Sequence, residues 1–167
     1  DVLLDELDRA VRAGGHGLHR SAAEPEDDGA AADQAEQHGG IGGAPKFPNT
    51  MVFSLFLRAW QSSGDATFLD MVVHTLERMS AGGIYDQIGG GFSRYSVDER
   101  WEIPHFEKML YDNGPLLALC ADAWAQTGDP LHARIVEETA SWVLREMQAP
   151  EGGYFSSLDA DSEGEEG

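Results

Sequence analysis

MVFSLFLRAWQSSGDATFLDMVVHTLERMSAGG, residues 51–83, decides the fold. Its first third is apolar nearly all round, through Met51, Val52, Phe53, Leu55, Phe56, Leu57 and Trp60, which predicts a helix covered on all sides. After a break, Ala66 to Ser80 carries one apolar stripe, Phe68, Met71, Val72, Leu76 and Met79, with Asp70, Glu77 and Arg78 elsewhere. That is the pattern of a helix with one face to solvent. Between them Gly64 suits a left-handed helix stop and Asp65 suits the cap of the next helix. The unit is a helical hairpin, inner helix first and outer helix second.

Working outward, the same order recurs. Pro104 to Gln126 reads as a second inner helix, wholly apolar at Leu116, Leu117, Leu119, Cys120, Ala123 and Trp124. Leu131 to Met147 reads as its outer partner, with a stripe at Ala133, Val136, Ala140, Val143, Leu144 and Met147. Gly128-Asp129 repeats the turn, and Pro130 suits the first helical turn. Double glycines punctuate the chain at HGGIG (Gly39, Gly40), AGGIY (Gly82, Gly83) and EGGYF (Gly152, Gly153). Hairpins alternating inner and outer helices predict an all-α chain with the α/α toroid architecture; the plainer alternative is a helical solenoid or bundle. Upstream, residues 1–13 predict a short amphipathic helix on Leu4, Leu7 and Val11, stopped by Gly14 and Gly15. A polar linker from His16 to about Asp28 and a brief helix over Ala30 to Gln37 follow. The expected organisation is therefore residues 1–38 as N-terminal helix and acidic linker, and 39–167 as part of a toroid.

Charge and cysteine content narrow the function. Against 30 acidic residues stand 11 basic ones, a net charge of −19, which opposes phosphate backbones and anionic membranes. Nucleic acid and membrane are thus not expected partners. No run reaches the length of a membrane span and the first 20 residues lack a leader pattern, so a cytoplasmic protein is expected. The single Cys120 lies in an apolar run and reads as a buried, inert thiol. No nucleotide loop or metalloprotease motif is present, so no cofactor and no metal is expected. Asp159, Asp161, Glu163 and Gly164 have the spacing that opens a calcium loop, but its twelfth-position glutamate would fall beyond Gly167.

The chemistry concentrates between the hairpins. GGGFSRYSVDERWEI predicts a short β-hairpin near residues 92–103, turning at Ser96 to Glu99. If the helix begins at Pro104, then His105, Lys108, Met109 and Asp112 share one polar face of a buried helix, lining a wet cavity or forming an internal network. In that first turn the helix dipole would favour neutral imidazole, which makes His105 the acid/base candidate; a structural histidine is the alternative. Asp86, Arg94 and Tyr95 suit sugar hydroxyls, and Tyr85 or Trp101 a sugar's apolar face, although a polar junction network explains them equally well. Lys46, between two prolines in APKFP, suits an anion or carboxylate, or an ion pair to a neighbouring helix. Asp159 and Asp161 suit a pocket rim.

GGIGGAPKFPNT, GGIYDQIGGGFSRYSVDERWEIPHFEKMLYDN and GGYFSSLDADSEGEEG resemble the thioredoxin-domain-containing family that includes spermatogenesis-associated protein 20 and its bacterial relatives. The resemblance covers about residues 39–167. It implies a thioredoxin-like domain preceding a six-hairpin toroid similar to sugar 2-epimerases and glycosidases, with only the early toroid hairpins in this chain. Three expectations follow: His105 exchanging a proton beside a sugar carbonyl, oriented by Tyr95, Arg94 and Asp112; a non-catalytic docking toroid serving the thioredoxin-like domain; or glycoside hydrolysis by carboxylates such as Asp86 and Asp159. The expected partners are a small carbohydrate and that thioredoxin-like domain.

Overall fold

The computed structural model describes residues 37–162 and 164–166. The expected helix of residues 1–13, the linker and most of the helix ending at Gln37 lie outside the described residues. Four helices form two hairpins: α1 (Thr50–Ser63) with α2 (Ala66–Ala81), and α3 (Leu110–Thr127) with α4 (Pro130–Trp142). Each helix packs against its hairpin partner, and α1 packs against α3. The turns form as expected. Gly64 and Gly128 stop their helices at φ 74° and 70°, their N–H groups reaching the Trp60 and Trp124 carbonyls. Asp65 and Asp129 accept hydrogen bonds from Thr67 and Leu131 N–H as caps. The core is built by Phe53, Phe56, Leu76, Met79, Leu116, Leu119, Cys120 and Ile135. Burial pushes the Cys120 thiol up to about 12, so it stays protonated and unreactive.

Four expectations need correction. The second inner helix starts at Leu110, six residues later than Pro104. Residues 104–109 are instead extended: β1 (Tyr95–Ser96) pairs antiparallel with β2 (Pro104–His105), and β3 (Lys108–Met109) with β4 (Ser157–Leu158). Lateral pairing supplies the backbone hydrogen bonds that a first helical turn would have needed. The hairpin therefore spans residues 95–105 rather than 92–103. Further on, β5 (Asp161–Ser162) pairs with β6 (Glu165–Glu166).

In α4 the buried face is His132, Ile135, Thr139 and Trp142, rotated from the apolar stripe read in the sequence. A π-helical turn over Val143–Met147 then leaves Leu144 exposed while burying Met147. Two polar residues share that face, which hid it from an apolar count. In α1, Met51 is 85% exposed, so the helix is not covered on all sides by the described residues.

Candidate functional site

The β1–β2 hairpin is organised by its own loop. The Asp98 carboxylate accepts N–H bonds from Arg100, Glu102 and Ile103, closing the loop and holding its own pKa low against the opposing effect of burial. Trp101 adopts a left-handed φ of 69° and turns inward, fully buried, with Nε1 donating to the His38 carbonyl. Lys46 pairs its backbone with Ser96 and buries its side chain against the Trp101 ring at 4.8 Å. Its ammonium donates to the carbonyls of Gly39 and Glu99. Desolvation lowers it to about 8, although Glu99 and Asp98 oppose the shift. Lys46 and Trp101 are thus buried together as a lock between residues 38–46 and the hairpin.

A second internal network surrounds the glycine-rich turn. Tyr85 is buried, and its hydroxyl donates to Glu138 at 2.5 Å; burial and that carboxylate push the phenol up. Asp86 accepts from the N–H groups of Ile88 and Gly89 and from the Lys108 ammonium at 2.7 Å. Burial favours protonating Asp86, but these bonds outweigh it and hold the carboxyl at about 2. Lys108 also donates to Gly90 O and lies 5.0 Å from the Trp142 ring centroid. A depression of about 290 Å³ borders this network, and two of the charges lining it are engaged, Glu138 by Tyr85 and Arg134, Arg145 by Glu146 and Gly89.

The remaining candidates meet at the first turns of α1 and α3. A groove of about 280 Å³ is lined by Phe47, Pro48, Asn49, Thr50, Met51, Val52 and Asp112. Phe47 packs against Tyr95 with ring centroids 4.9 Å apart and planes tilted by 35°, and Tyr95 stacks on His105 at 4.7 Å and 12°. Arg94 Nη1 donates to Glu107 at 2.9 Å, and the same carboxylate lies 3.8 Å from His105 Nε2. Asp112 Oδ2 is buried without a hydrogen-bond partner. Desolvation raises this carboxyl to about 6, opposed by Arg94 and reinforced by Glu107. Beside it Asn113 ties the first turn of α3 to Phe92, accepting from its N–H and donating to its carbonyl.

The sequence candidates therefore divide. His105, Tyr95 and Arg94 are linked through ring stacking and Glu107, and Asp112 is tied to them by the fields of Arg94 and Glu107, although of the four only Asp112 lines the groove. Tyr85, Asp86, Lys46, Trp101 and Lys108 form internal locks. Asp159 and Asp161 are exposed, with Asp161 N–H directed at Asp159 Oδ1, and neither lines the groove. Sequence reasoning missed Phe47, Glu107 and Asn113. Reading residues 104–109 as extended would have found Glu107, because strand alternation puts it on the same side as His105.

Across 136 residues the chain is 38% identical to spermatogenesis-associated protein 20 of Homo sapiens and 39% identical to that of Mus musculus, covering 79% of this chain in each case. The chain is homologous to spermatogenesis-associated protein 20. It spans 17% of the length of those relatives. The chain matches no protein-family profile. Among solved structures, a sugar epimerase from a ruminal bacterium superposes with a TM-score of 0.64 at 14% identity, over 92% of this chain and 40% of that one. Cellobiose 2-epimerase from Bacillus thermoamylovorans B4167 gives 0.68 at 11% identity, over 93% and 41%. Cellobiose 2-epimerase from Spirochaeta thermophila DSM 6192 gives 0.65 at 18%, over 95% and 40%. At such identities the likeness concerns the fold, which is that of the α/α toroid.

Proposed function

We propose that the groove beside Asp112 is part of a small-carbohydrate site whose chemistry is epimerase- or isomerase-like proton transfer. The observation that carries this reading is the groove itself, which joins an aromatic wall at Phe47 to a half-desolvated carboxyl at Asp112. Sugars present apolar C–H faces and hydroxyl edges, and this pairing suits both. His105 is the proton-transfer group in this reading. Tyr95 fixes its ring by stacking, and the Glu107 carboxylate 3.8 Å from Nε2 would steady the imidazolium formed when a proton is taken from carbon. Arg94 holds Glu107 in place.

The test uses the full-length protein and its His105→Ala variant. Thermal-shift screening with mono- and disaccharides identifies a ligand, and solvent-deuterium exchange at the sugar carbon then reports proton transfer. The variant is expected to lose exchange by about a hundredfold or more; an unchanged rate sinks the proposal. Exposed Phe106 and Tyr111, each at 56%, and Met51 favour a second reading, docking against another part of the longer protein. No stabilisation by any sugar, with binding of a protein partner sensitive to Met51→Ser, would select it.

A further inference from the structure

We propose that the groove takes a sugar carrying a free ammonium group, with the Asp112 carboxylate as its counter-ion; this rests on the reading of the groove as a sugar site. The argument begins with which charges are already paired. Arg94 is the cation whose field reaches Asp112, but its Nη1 is bonded to Glu107 at 2.9 Å. Among the described residues no ion pair involves Asp112, and its Oδ2 is buried without a hydrogen-bond partner. Arg94 and Glu107, which flank the β1–β2 hairpin, are the charged groups whose fields reach Asp112, and Tyr111 precedes it on the helix itself. Glu107 adds negative potential at Asp112. A carboxylate that is partly desolvated and repelled by a second one gains most from an incoming cation.

An anionic sugar has the opposite problem. The only lysines are Lys46 and Lys108, and both ammonium groups are held by internal oxygens. No lysine lines the groove. The net charge of −19 concentrates cations and repels phosphorylated sugars and uronates before contact. Seating an ammonium beside Asp112 also favours its ionised form, so binding near pH 6, about where the free carboxyl titrates, releases a proton.

Isothermal calorimetry on the full-length protein with glucosamine, glucose and glucose 6-phosphate tests this. At about pH 7, glucosamine is expected to bind about tenfold more tightly than glucose, and glucose 6-phosphate more weakly than either. The preference is expected to fade below about pH 6, as Asp112 is protonated. In Asp112→Asn the preference disappears. If that variant does not fold, by circular dichroism, the pH series on the unmutated protein decides. Equal binding of glucose and glucosamine, or a preference retained in the folded variant, overturns the inference while leaving the sugar site standing. Binding of no sugar at all overturns both.

Discussion

Lys46 shows how a single residue can look like a ligand group and be something else. Its setting between two prolines was legible in the sequence, but its partners, the carbonyls of Gly39 and Glu99, were not, because backbone oxygens leave no mark in a side-chain pattern. Lys46→Met removes the donor from both carbonyls and is expected to destabilise the full-length protein by about 2 kcal/mol in urea unfolding near neutral pH. The pH dependence has a definite sign. Burial lowers the ammonium from 10.5 to about 8, so between those values the unfolded chain holds more protons than the folded one. Relative to Lys46→Met, the unmutated protein should therefore gain stability as pH rises through that window, and a flat difference would contradict the burial. His105, Tyr95, Arg94 and Asp112 were legible as a group because they are close in sequence. Glu107 was not, since the helix assigned there turned it away from His105.

At the scale of elements, the hairpins were readable because glycine stops and aspartate caps act locally, and Gly64-Asp65 and Gly128-Asp129 behave alike in the structure. The start of α3 was not readable. Lys108–Met109 pairs with Ser157–Leu158, a partner some fifty residues away, and helical periodicity carries no information about it. The buried face of α4 was misread for a related reason, since packing selected a face containing His132 and Thr139. Desolvation keeps His132 below its usual pKa, so the imidazole can remain neutral in that contact. The double glycine at 82–83 has a steric cause: a Cβ at either position would overlap the carbonyls of Trp101 and Glu102. Gly82→Ala is thus expected to cost about 1–3 kcal/mol through a shifted hairpin. Thermal unfolding would register the loss, and an unchanged midpoint would mean that the approach is looser than the structure has it.

For the whole molecule the acidic excess sets the behaviour. With 30 acidic and 11 basic residues, the folded chain repels itself, and added salt shortens that repulsion from about 30 Å of reach at 0.01 M to about 3 Å at 1 M. Sodium chloride should raise the melting temperature of the full-length protein; a salt-independent midpoint would show that ion pairs such as Arg94–Glu107 offset the excess. No helix among the described residues is long and apolar enough to cross a membrane. The toroid character was legible from the inner and outer alternation. How the two hairpins are joined was not, because that depends on strands of two residues each.

One of those strand pairs reaches further than its length suggests. The β3–β4 ladder, extended by the Leu110 N–H to Ser156 O bond, fastens the entry of the α3–α4 hairpin to its exit. Stacked hairpins ordinarily peel from an array one helix at a time. Here α4 cannot leave α3 without straining a clasp at the root of both, so the segment from Lys108 to Leu158 behaves as one foldon whose amides open together. The Asp112 wall of the groove sits at that root and is lost only when the whole foldon opens, whereas the facing wall, Phe47 to Val52, belongs to the start of α1.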